Sequence, residues 1–304
     1  MLSIRVLGAA AGGGFPQWNA NSEACRRARD GDPTAPSATQ ASIAITADGK
    51  RWFLVNASPD LRSQIEDSPC LHPSEGIRSS PIAGVVLTNA DVDAIAGLLH
   101  LREGTPFALY GVPEALRNLA DNPVFNVLDS DIVPRRELRL DEWQRLYTSA
   151  GELSGLEVRP FAVPGKPPLY REGDNRDSEA DQTVGLEIRS GDARFVYAAN
   201  CAALSDAVAE RLRGAPLVFF DGTLFEDNEM IRQGVGKKTG RRMGHMSLAG
   251  ADGSLAALAA LGIGRPIYIH INNTNPILLK DSAERREVEA AGFEIAYDGM
   301  EIAL

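Results

Sequence analysis

The sequence is organised around residues 82–103, where an apolar run is followed by a short polar turn and a second apolar run. The first run, residues 82–87, is rich in β-branched side chains and has the length of a strand buried on both faces. The second run, residues 94–99, has the spacing of a helix that packs against a core. The turn between them contains Asn89, Asp91 and Asp93. In open α/β sheets, ligands bind at this position, beyond the carboxyl end of a strand.

Two interpretations of this turn are open. Because Asn89, Asp91 and Asp93 alternate in the sequence, a tight loop could direct their oxygens at one ion or one polar ligand. Alternatively, Asp91 or Asp93 accepts hydrogen bonds from the first N–H groups of the helix and opposes the helix dipole. The turn taken alone favours capping.

Charge and composition exclude some classes of function. The chain has 304 residues, 44% of them hydrophobic, and a net charge of −10. Its dense basic residues are confined to Lys237, Lys238, Arg241 and Arg242. Nucleic acid is therefore not expected as a partner, because that binding depends on neutralising phosphates. No apolar segment approaches the roughly 20 residues that span a bilayer, so no membrane span is expected.

The cysteines indicate the cellular compartment. Cys25, Cys70 and Cys201 are few and far apart, which is typical of thiols in a reducing cytoplasm rather than of a disulfide framework. The first residues read as a strand and not as a signal peptide. A cytoplasmic protein is therefore expected. The sequence assigns no role to Cys25, Cys70 or His72.

The order of predicted elements indicates an α/β (α+β) fold. Residues 39–47 and 50–57 alternate around Asp48-Gly49, a strong hairpin signal. Strands and helices then alternate, and a second strand-rich block lies in the middle of the chain. Two sheets packed face to face, with helices outside, explain this order better than one doubly wound sheet. One domain over residues 1–304 is expected. Residues 20–37 are expected to be irregular, residues 247–262 helical, and residues 164–182 a mobile loop that could close over a site.

Further polar side chains follow the other predicted strands. Asn200, Asp221 and His270 each end a strand, and His245 lies in a loop. A single histidine or aspartate at such a position is more often structural than a ligand. Several strand ends that bring such groups to one edge are what an active site requires. Asp91, Asp93 and His270 would provide two carboxylates and one imidazole, a set suited to Fe(II) or Mn(II).

The loop after His270 is unusually polar for a segment that follows so apolar a strand. It contains Asn272, Asn273 and Thr274, and we interpret it as a substrate-binding loop.

The order of elements resembles the metallo-β-lactamase fold, and residues 82–103 fall where that superfamily has its His-x-His-x-Asp-His metal motif. Within the superfamily, the chain resembles the pyrroloquinoline quinone (PQQ) biosynthesis protein B family. The matching runs are residues 12–19 (GGGFPQWN), 56–60 (NASPD), 87–89 (LTN), 101–104 (LREG), 163–166 (VPGK), 220–223 (FDGT), 243–246 (MGHM) and 270–276 (HINNTNP).

This resemblance implies an αββα sandwich of two mixed sheets and a cytosolic protein of PQQ biosynthesis. One implied function is Fe(II)- and O2-dependent hydroxylation of the tyrosine-derived ring of a Glu–Tyr cross-linked precursor. The other is a carrier that assists transport of PQQ or its precursor to the periplasm. Partners would be that small molecule and other PQQ-pathway proteins, and a homodimer is left open.

The chain departs from the family pattern at several positions. The superfamily's first two histidines are Asn89 and Asp91, and the family's Asp-His pair is Asp93-Ala94, so one further expected ligand is missing. Asn200 stands where hydrolytic relatives have a bridging aspartate. The family's structural zinc site uses a Cys-x-Cys-x-x-Cys run after residue 19, of which only Cys25 remains. One thiolate cannot complete a tetrahedral site, so no structural zinc is expected.

The leading hypothesis is therefore an iron-dependent oxygenase with Asp91, Asp93 and His270 as metal ligands. His245 and Asp221 would act in catalysis, handling protons or substrate orientation. Asn89, Asn272, Asn273 and Thr274 would bind substrate. A carrier without turnover comes second, favoured by Ala94. A hydrolase comes third, because a dinuclear zinc site needs more imidazole than His245 and His270 supply.

Overall fold

The computed structural model describes residues 1–171 and 182–304. In this part of the chain the strands are β1 (Ser3–Gly8), β2 (Ser42–Thr46), β3 (Trp52–Val55), β4 (Ile82–Val86), β5 (Ala108–Gly111), β6 (Arg135–Glu137), β7 (Gln144–Tyr147), β8 (Leu153–Ala162), β9 (Val184–Ser190), β10 (Ala193–Ala198), β11 (Val218–Asp221), β12 (Pro266–Ile269), β13 (Glu294–Ile295) and β14 (Glu301–Ala303). The helices are α1 (Glu23–Arg29), α2 (Leu61–Glu66), α3 (Val92–Ile95), α4 (Pro113–Ala120), α5 (Asp206–Leu212), α6 (Glu229–Arg232), α7 (Gly240–Met243), α8 (Ser254–Ala259) and α9 (Ala283–Ala290).

The strands form two mixed sheets of related design. The first has the order β14-β1-β2-β3-β4-β5-β6 and the second the order β13-β12-β11-β10-β9-β8-β7. Each sheet has an antiparallel part and a parallel part: β3, β4 and β5 are parallel neighbours in the first, and β10, β11 and β12 in the second. The carboxyl ends of these parallel strands therefore lie at corresponding edges of the two sheets.

The two sheets pack face to face. One hydrophobic cluster joins Val85 and Leu109 of the first sheet with Leu186 and Phe219 of the second. A second cluster covers the outer face of the second sheet, where Tyr268 packs with side chains from α5, α8 and α9. The predicted αββα sandwich is confirmed.

Most predicted elements are present, but several differ. The helix predicted over residues 94–99 is an α-helix only at Val92–Ile95 and continues as a 3-10 helix over Ala96–Leu101. The Asp48-Gly49 hairpin forms with the expected antiparallel pairing of β2 and β3. Residues 20–37, predicted to be irregular, contain α1, whose Ser22 side chain accepts the Cys25 N–H. The polar strands β6 and β7 were not expected.

The predicted helix over residues 247–262 is wrong in its first part, because only Ser254–Ala259 is helical. The N–H groups of Leu248 and Ala249 donate instead to the carbonyls of Leu224 and Phe225, at 3.0 and 2.9 Å. These tertiary hydrogen bonds tie the start of the segment to the loop that follows β11, and the chain then turns back so that the Ser254 N–H donates to the Ser247 carbonyl at 2.9 Å.

Candidate functional site

The parallel strands of both sheets end at one cavity of about 470 Å³. The turn after β4 contributes Asp91 and Asp93, and the segments after β10, β11 and β12 contribute the other polar groups. Its polar lining includes Asp91, Asp93, Asn200, Thr223, His245 and His270. The structure therefore brings together residues that are far apart in the sequence, as the strand-end pattern predicted.

Side-chain hydrogen bonds of Asn89 stabilise the turn after β4. The Asn89 side chain is buried and accepts the Asp91 N–H at 2.9 Å. Its amide nitrogen donates to Asn200 Oδ1 at 3.4 Å and so links the turn to the second sheet. Asp91 occupies the N-cap position of α3, but its side chain makes no capping hydrogen bond. The capping interpretation is therefore wrong for Asp91.

His270 connects the two sheets across the cavity. Its backbone has φ +60°, a left-handed conformation that costs energy for any residue except glycine and that is concentrated at functional sites. Its Nδ1 lies 2.9 Å from Thr223 Oγ1. Its Nε2 lies 3.0 Å from Asp93 Oδ2, so the two predicted ligands face each other directly.

Asp221 is fully buried beneath the histidines. Its Oδ1 accepts the N–H and the O–H of Thr223, at 3.0 and 2.6 Å. Its Oδ2 accepts the Cys201 N–H at 2.8 Å and lies 2.7 Å from His245 Nδ1. The His245 ring also stacks on His270, with 5.3 Å between ring centroids.

The charged side chains of the cavity change one another's pKa values. Burial and the charge of Asp93 raise the pKa of Asp91 to about 6. Burial acts to raise the pKa of Asp93 too, but the hydrogen bond and charge of His270 lower it. For His270, burial acts to lower the pKa, but Asp93, Asp221 and Asp91 raise it. Burial also acts to raise the pKa of Asp221, but the charge and the hydrogen bond of His245 keep it below its ordinary value.

The metal-ligand set predicted from the sequence is not the one whose donor atoms the structure brings closest together. Among the described residues, donor atoms of Asp221, His245 and His270 lie within 4.8 Å of one another. The predicted set is Asp91, Asp93 and His270. Its three donor groups do not all come within 4.8 Å of one another, although Asp93 lies beside His270. None of the described residues donates a hydrogen bond to the half-buried Asp91 side chain, whose pKa is raised to about 6, so this carboxylate could accept a cation. A divalent cation between Asp91 and Asp93 would relieve their repulsion.

The predicted substrate-binding residues differ in their surroundings. Asn272 lines the cavity, and its amide donates to Thr274 Oγ1 at 2.6 Å. Asn273 donates to Gln17 Oε1, and Thr274 donates to the buried Glu229. Asn89, Asn273 and Thr274 thus hydrogen-bond to protein groups around the cavity, and their contact with substrate stays a prediction.

Several lining residues were not predicted as site residues. Lys166 and Lys238 line the cavity from two separate segments. A Cβ on Gly12 would lie 3.5 Å from Asp93 Oδ2, so the glycine-rich loop passes close to the metal-ligand candidates. The signal was present in the sequence: residues 163–166 and 12–19 were among the family-like runs, and Lys238 belongs to the one dense basic segment.

The Cys25 region is held by hydrogen bonds. Cys25 is a free, buried cysteine whose Sγ lies 4.0 Å from Asn273 Oδ1. Arg29 donates to the carbonyls of Ala20 and Gln17, at 2.7 and 2.6 Å. These bonds tie α1 to the loop that precedes it. The absence of a structural zinc stays a prediction.

The loop predicted over residues 164–182 is described only in part, since residues 172–181 lie outside the described ranges. In the described part, Tyr170 donates its O–H to the Ala90 carbonyl at 2.8 Å, and Leu169 lines the cavity. This segment therefore contacts the turn that carries Asp91.

The comparisons with known proteins agree with the fold. A model of the β-lactamase superfamily domain matches residues 51–271. The fold also resembles that of a diphosphatase of the PhnP family, which is 21% identical with a TM-score of 0.69 over 99% of this chain and 96% of that one. Within the described residues, no helix is both long and apolar enough to cross a bilayer.

Closer relatives cover the chain from end to end. Coenzyme PQQ synthesis protein B of Gluconacetobacter diazotrophicus is 54% identical over 99% of each chain, and that of Rhodopseudomonas palustris is 51% identical over the full length of both. The crystal structure of Zn(2+)-bound PqqB from Methylobacterium extorquens is 48% identical, with a TM-score of 0.94 over 99% of this chain and all of that one. With two mixed sheets, a cavity of carboxylates and imidazoles at their edge, and relatives of this identity, the chain belongs to the coenzyme PQQ synthesis protein B family of the β-lactamase superfamily.

Proposed function

We propose that the chain is an Fe(II)- and O2-dependent oxygenase of PQQ biosynthesis that hydroxylates the tyrosine-derived ring of a Glu–Tyr cross-linked precursor. The observation that carries this proposal is that Asp91 and Asp93 both line the cavity, with Asp93 Oδ2 at 3.0 Å from His270 Nε2. Two carboxylates and one imidazole form a set that suits Fe(II). This set differs from the imidazole-rich sites of zinc hydrolases. Bound iron would supply the activation of O2.

We assign Asp91, Asp93 and His270 as the metal ligands in preference to the group that contains Asp221. Both oxygens of Asp221 already accept hydrogen bonds, and its side chain has no exposed surface. The carboxylate of Asp91, by contrast, lines the cavity without a hydrogen-bond donor among the described residues. Asp221 would therefore orient the histidines, as carboxylates behind metal and catalytic histidines commonly do.

His245 is suited to move a proton. When its Nδ1–H donates to Asp221 Oδ2, at 2.7 Å, its Nε2 is left as an acceptor. Because His245 lines the cavity, this nitrogen can accept the phenolic proton of a tyrosine-derived ring. Asn272 lines the same cavity and would hydrogen-bond to polar groups of the substrate.

The experiment that tests the oxygenase uses the variant Asp93→Asn. The wild-type protein, reconstituted with Fe(II) without oxygen, is mixed with the cross-linked precursor, ascorbate and O2, and both O2 consumption and the hydroxylated product are measured. The variant removes a carboxylate charge at the metal site, so we expect its rate to fall at least about 100-fold. The matched control is Asp252→Asn, at an exposed aspartate outside the cavity, which should keep the wild-type rate.

Product formation by Asp93→Asn at the wild-type rate would contradict this assignment. The absence of any product with the iron-loaded wild type would contradict the oxygenase itself.

The second candidate function is a carrier that binds PQQ or its precursor without turnover and assists its transport to the periplasm. Ala94 favours it, because this buried residue stands where the resemblance implies a metal-binding histidine. The same variant separates the two functions: Asp93→Asn would leave ligand affinity nearly intact in a carrier. A hydrolase is the weakest of the three, since Asn89, Ala94 and Asn200 supply no imidazole or carboxylate for a second metal.

A further inference from the structure

Two lysines from separate segments line the metal-site cavity. Lys166 follows β8, and Lys238 lies between α6 and α7. Both are half-buried, whereas the adjacent Lys237 is exposed and does not line the cavity. In a chain with a net charge of −10, the dense basic segment thus places one of its lysines directly at the site.

Lys166 lies close to the metal-ligand candidates. Its charge is among those that act on Asp91. Its side chain passes over Gly244, where an added Cβ would lie 3.2 Å from Lys166 Cγ. Gly244 has φ +90°, a backbone conformation that favours glycine next to His245. The Lys166 side chain therefore lies against the segment that carries His245.

The charges of the cavity favour an anionic ligand. Asp91 and Asp93 are balanced by Lys166 and Lys238 among the lining residues. A divalent cation at the carboxylates would make the cavity positive, which attracts a ligand with two or more negative charges. Leu169, Met230 and Met243 add an apolar wall suited to a flat ring.

We propose that Lys166 and Lys238 form a carboxylate-binding subsite that selects an aromatic polycarboxylate as the ligand of this cavity. This inference rests on the proposed role in PQQ biosynthesis, because PQQ is a tricarboxylic acid on fused aromatic rings. It adds two residues that determine specificity to the carboxylates and histidines of the metal site.

The affinity for PQQ tests this subsite without requiring turnover. Isothermal titration calorimetry is performed on metal-free protein and on Zn(II)-loaded protein, with PQQ and with its uncharged trimethyl ester as probes. In both forms of the protein, Lys166→Gln and Lys238→Gln should each raise the Kd for PQQ roughly tenfold, because each removes a charge-assisted contact. Lys238→Arg should keep most of the affinity, and Lys237→Gln should match the wild type. The ester should bind the wild type at least about tenfold more weakly than PQQ does.

Failure of this inference and failure of the oxygenase are distinguishable. Wild-type affinity for PQQ in both glutamine variants, equal binding of the ester, or no binding of PQQ to the wild type would overturn the subsite. Lysine-dependent binding in a protein that forms no hydroxylated product would support the subsite and overturn the oxygenase. Product formation together with unchanged Kd values in the two glutamine variants would support the oxygenase and overturn the subsite.

Discussion

At the scale of single residues, Thr223 determines how both histidines are presented. Its O–H donates to Asp221 Oδ1 at 2.6 Å, so its oxygen is left to accept the His270 Nδ1–H at 2.9 Å. In the neutral imidazole this arrangement leaves Nε2, which lies 3.0 Å from Asp93 Oδ2, without a proton, and that is the tautomer that a metal at Nε2 requires. When the ring is protonated, the same nitrogen donates to the Asp93 carboxylate.

The variant Thr223→Val tests this role. It keeps the volume of the side chain but removes the hydroxyl, so we expect metal affinity to fall by about 10- to 100-fold, as is typical when a partner of a ligating histidine is lost. Fe(II) affinity is measured by anaerobic competition with a chelator of known affinity. Thr223→Ser, which keeps the hydroxyl, should bind nearly as tightly as the wild type. Equal affinity of the valine variant and the wild type would show that the hydroxyl does not orient His270.

At the scale of elements, the polar turn after β4 depends on close packing of the segment that follows α3. Gly97 donates its N–H to the Ala57 carbonyl at 2.9 Å. An added Cβ there would lie 2.0 Å from the Ser58 carbonyl oxygen and 2.8 Å from that of Ala57. Since these neighbours are backbone atoms, they cannot rotate away.

We therefore expect Gly97→Ala to lower the free energy of unfolding by about 3 kcal/mol and to weaken metal binding by displacing Asp91 and Asp93. Urea denaturation and metal titration measure the two effects. The control is Gly111→Ala in β5, where the nearest atom to an added Cβ is 3.4 Å away. A Gly97→Ala protein as stable as this control would show that the packing is looser than described.

The β2–β3 hairpin makes stability depend on pH. The Asp48 carboxylate accepts the N–H groups of Lys50 and Arg51 and the Arg51 Nε–H, at 2.8 to 2.9 Å. Burial acts to raise the pKa of Asp48, but these hydrogen bonds lower it from 3.8 to about 2. Because the pKa of Asp48 is lower in the folded state, the carboxylate stabilises the fold at pH values above its unfolded pKa of 3.8. This contribution is lost as the pH falls through the folded-state pKa of about 2.

Asp48→Asn mimics the protonated residue. After allowance for solvent screening, it should lower the free energy of unfolding by about 1 kcal/mol at pH 7, and the difference should vanish near pH 2. Urea denaturation over this pH range measures it. The control is Asp192→Asn in the β9–β10 turn, an exposed residue whose carboxylate accepts no hydrogen bond from the described residues, and it should leave the free energy of unfolding at pH 7 unchanged. A difference that is constant from pH 7 to pH 2 would contradict the assigned cause.

The elements differ in how well the sequence predicts them. Buried strands such as β4 and the Asp48-Gly49 hairpin follow from local pattern, because their side chains alternate or are uniformly apolar. Helix α1 could not be recognised from its polar composition, since it is stabilised by the Ser22 cap and by Arg29, which bonds to the preceding loop. The turns of residues 247–253 depend on partners in the loop after β11, which are distant in sequence.

At the scale of the whole molecule, the site exists only where the two sheets meet. Asp91 and Asp93 come from the first sheet, and Thr223, His245 and His270 from segments of the second. Strand-end position predicted which residues meet, because the carboxyl ends of parallel strands share an edge. It could not predict the hydrogen bonds of Asp221 or the arrival of Lys238 in the cavity, which depend on the three-dimensional course of the loops. Cytoplasmic location and a homodimer stay predictions.

The most direct test of the account is the iron content of the protein after anaerobic reconstitution with Fe(II) and desalting. We expect about one iron per chain in the wild type and in the control Asp252→Asn, because the proposed ligands Asp91, Asp93 and His270 would form a single mononuclear site. Iron should be nearly absent from His270→Ala and from Asp91→Asn. Iron retained in full by either variant would contradict the ligand assignment. A wild type that holds no iron would show that the alanine at position 94 has emptied the site, and would favour the carrier.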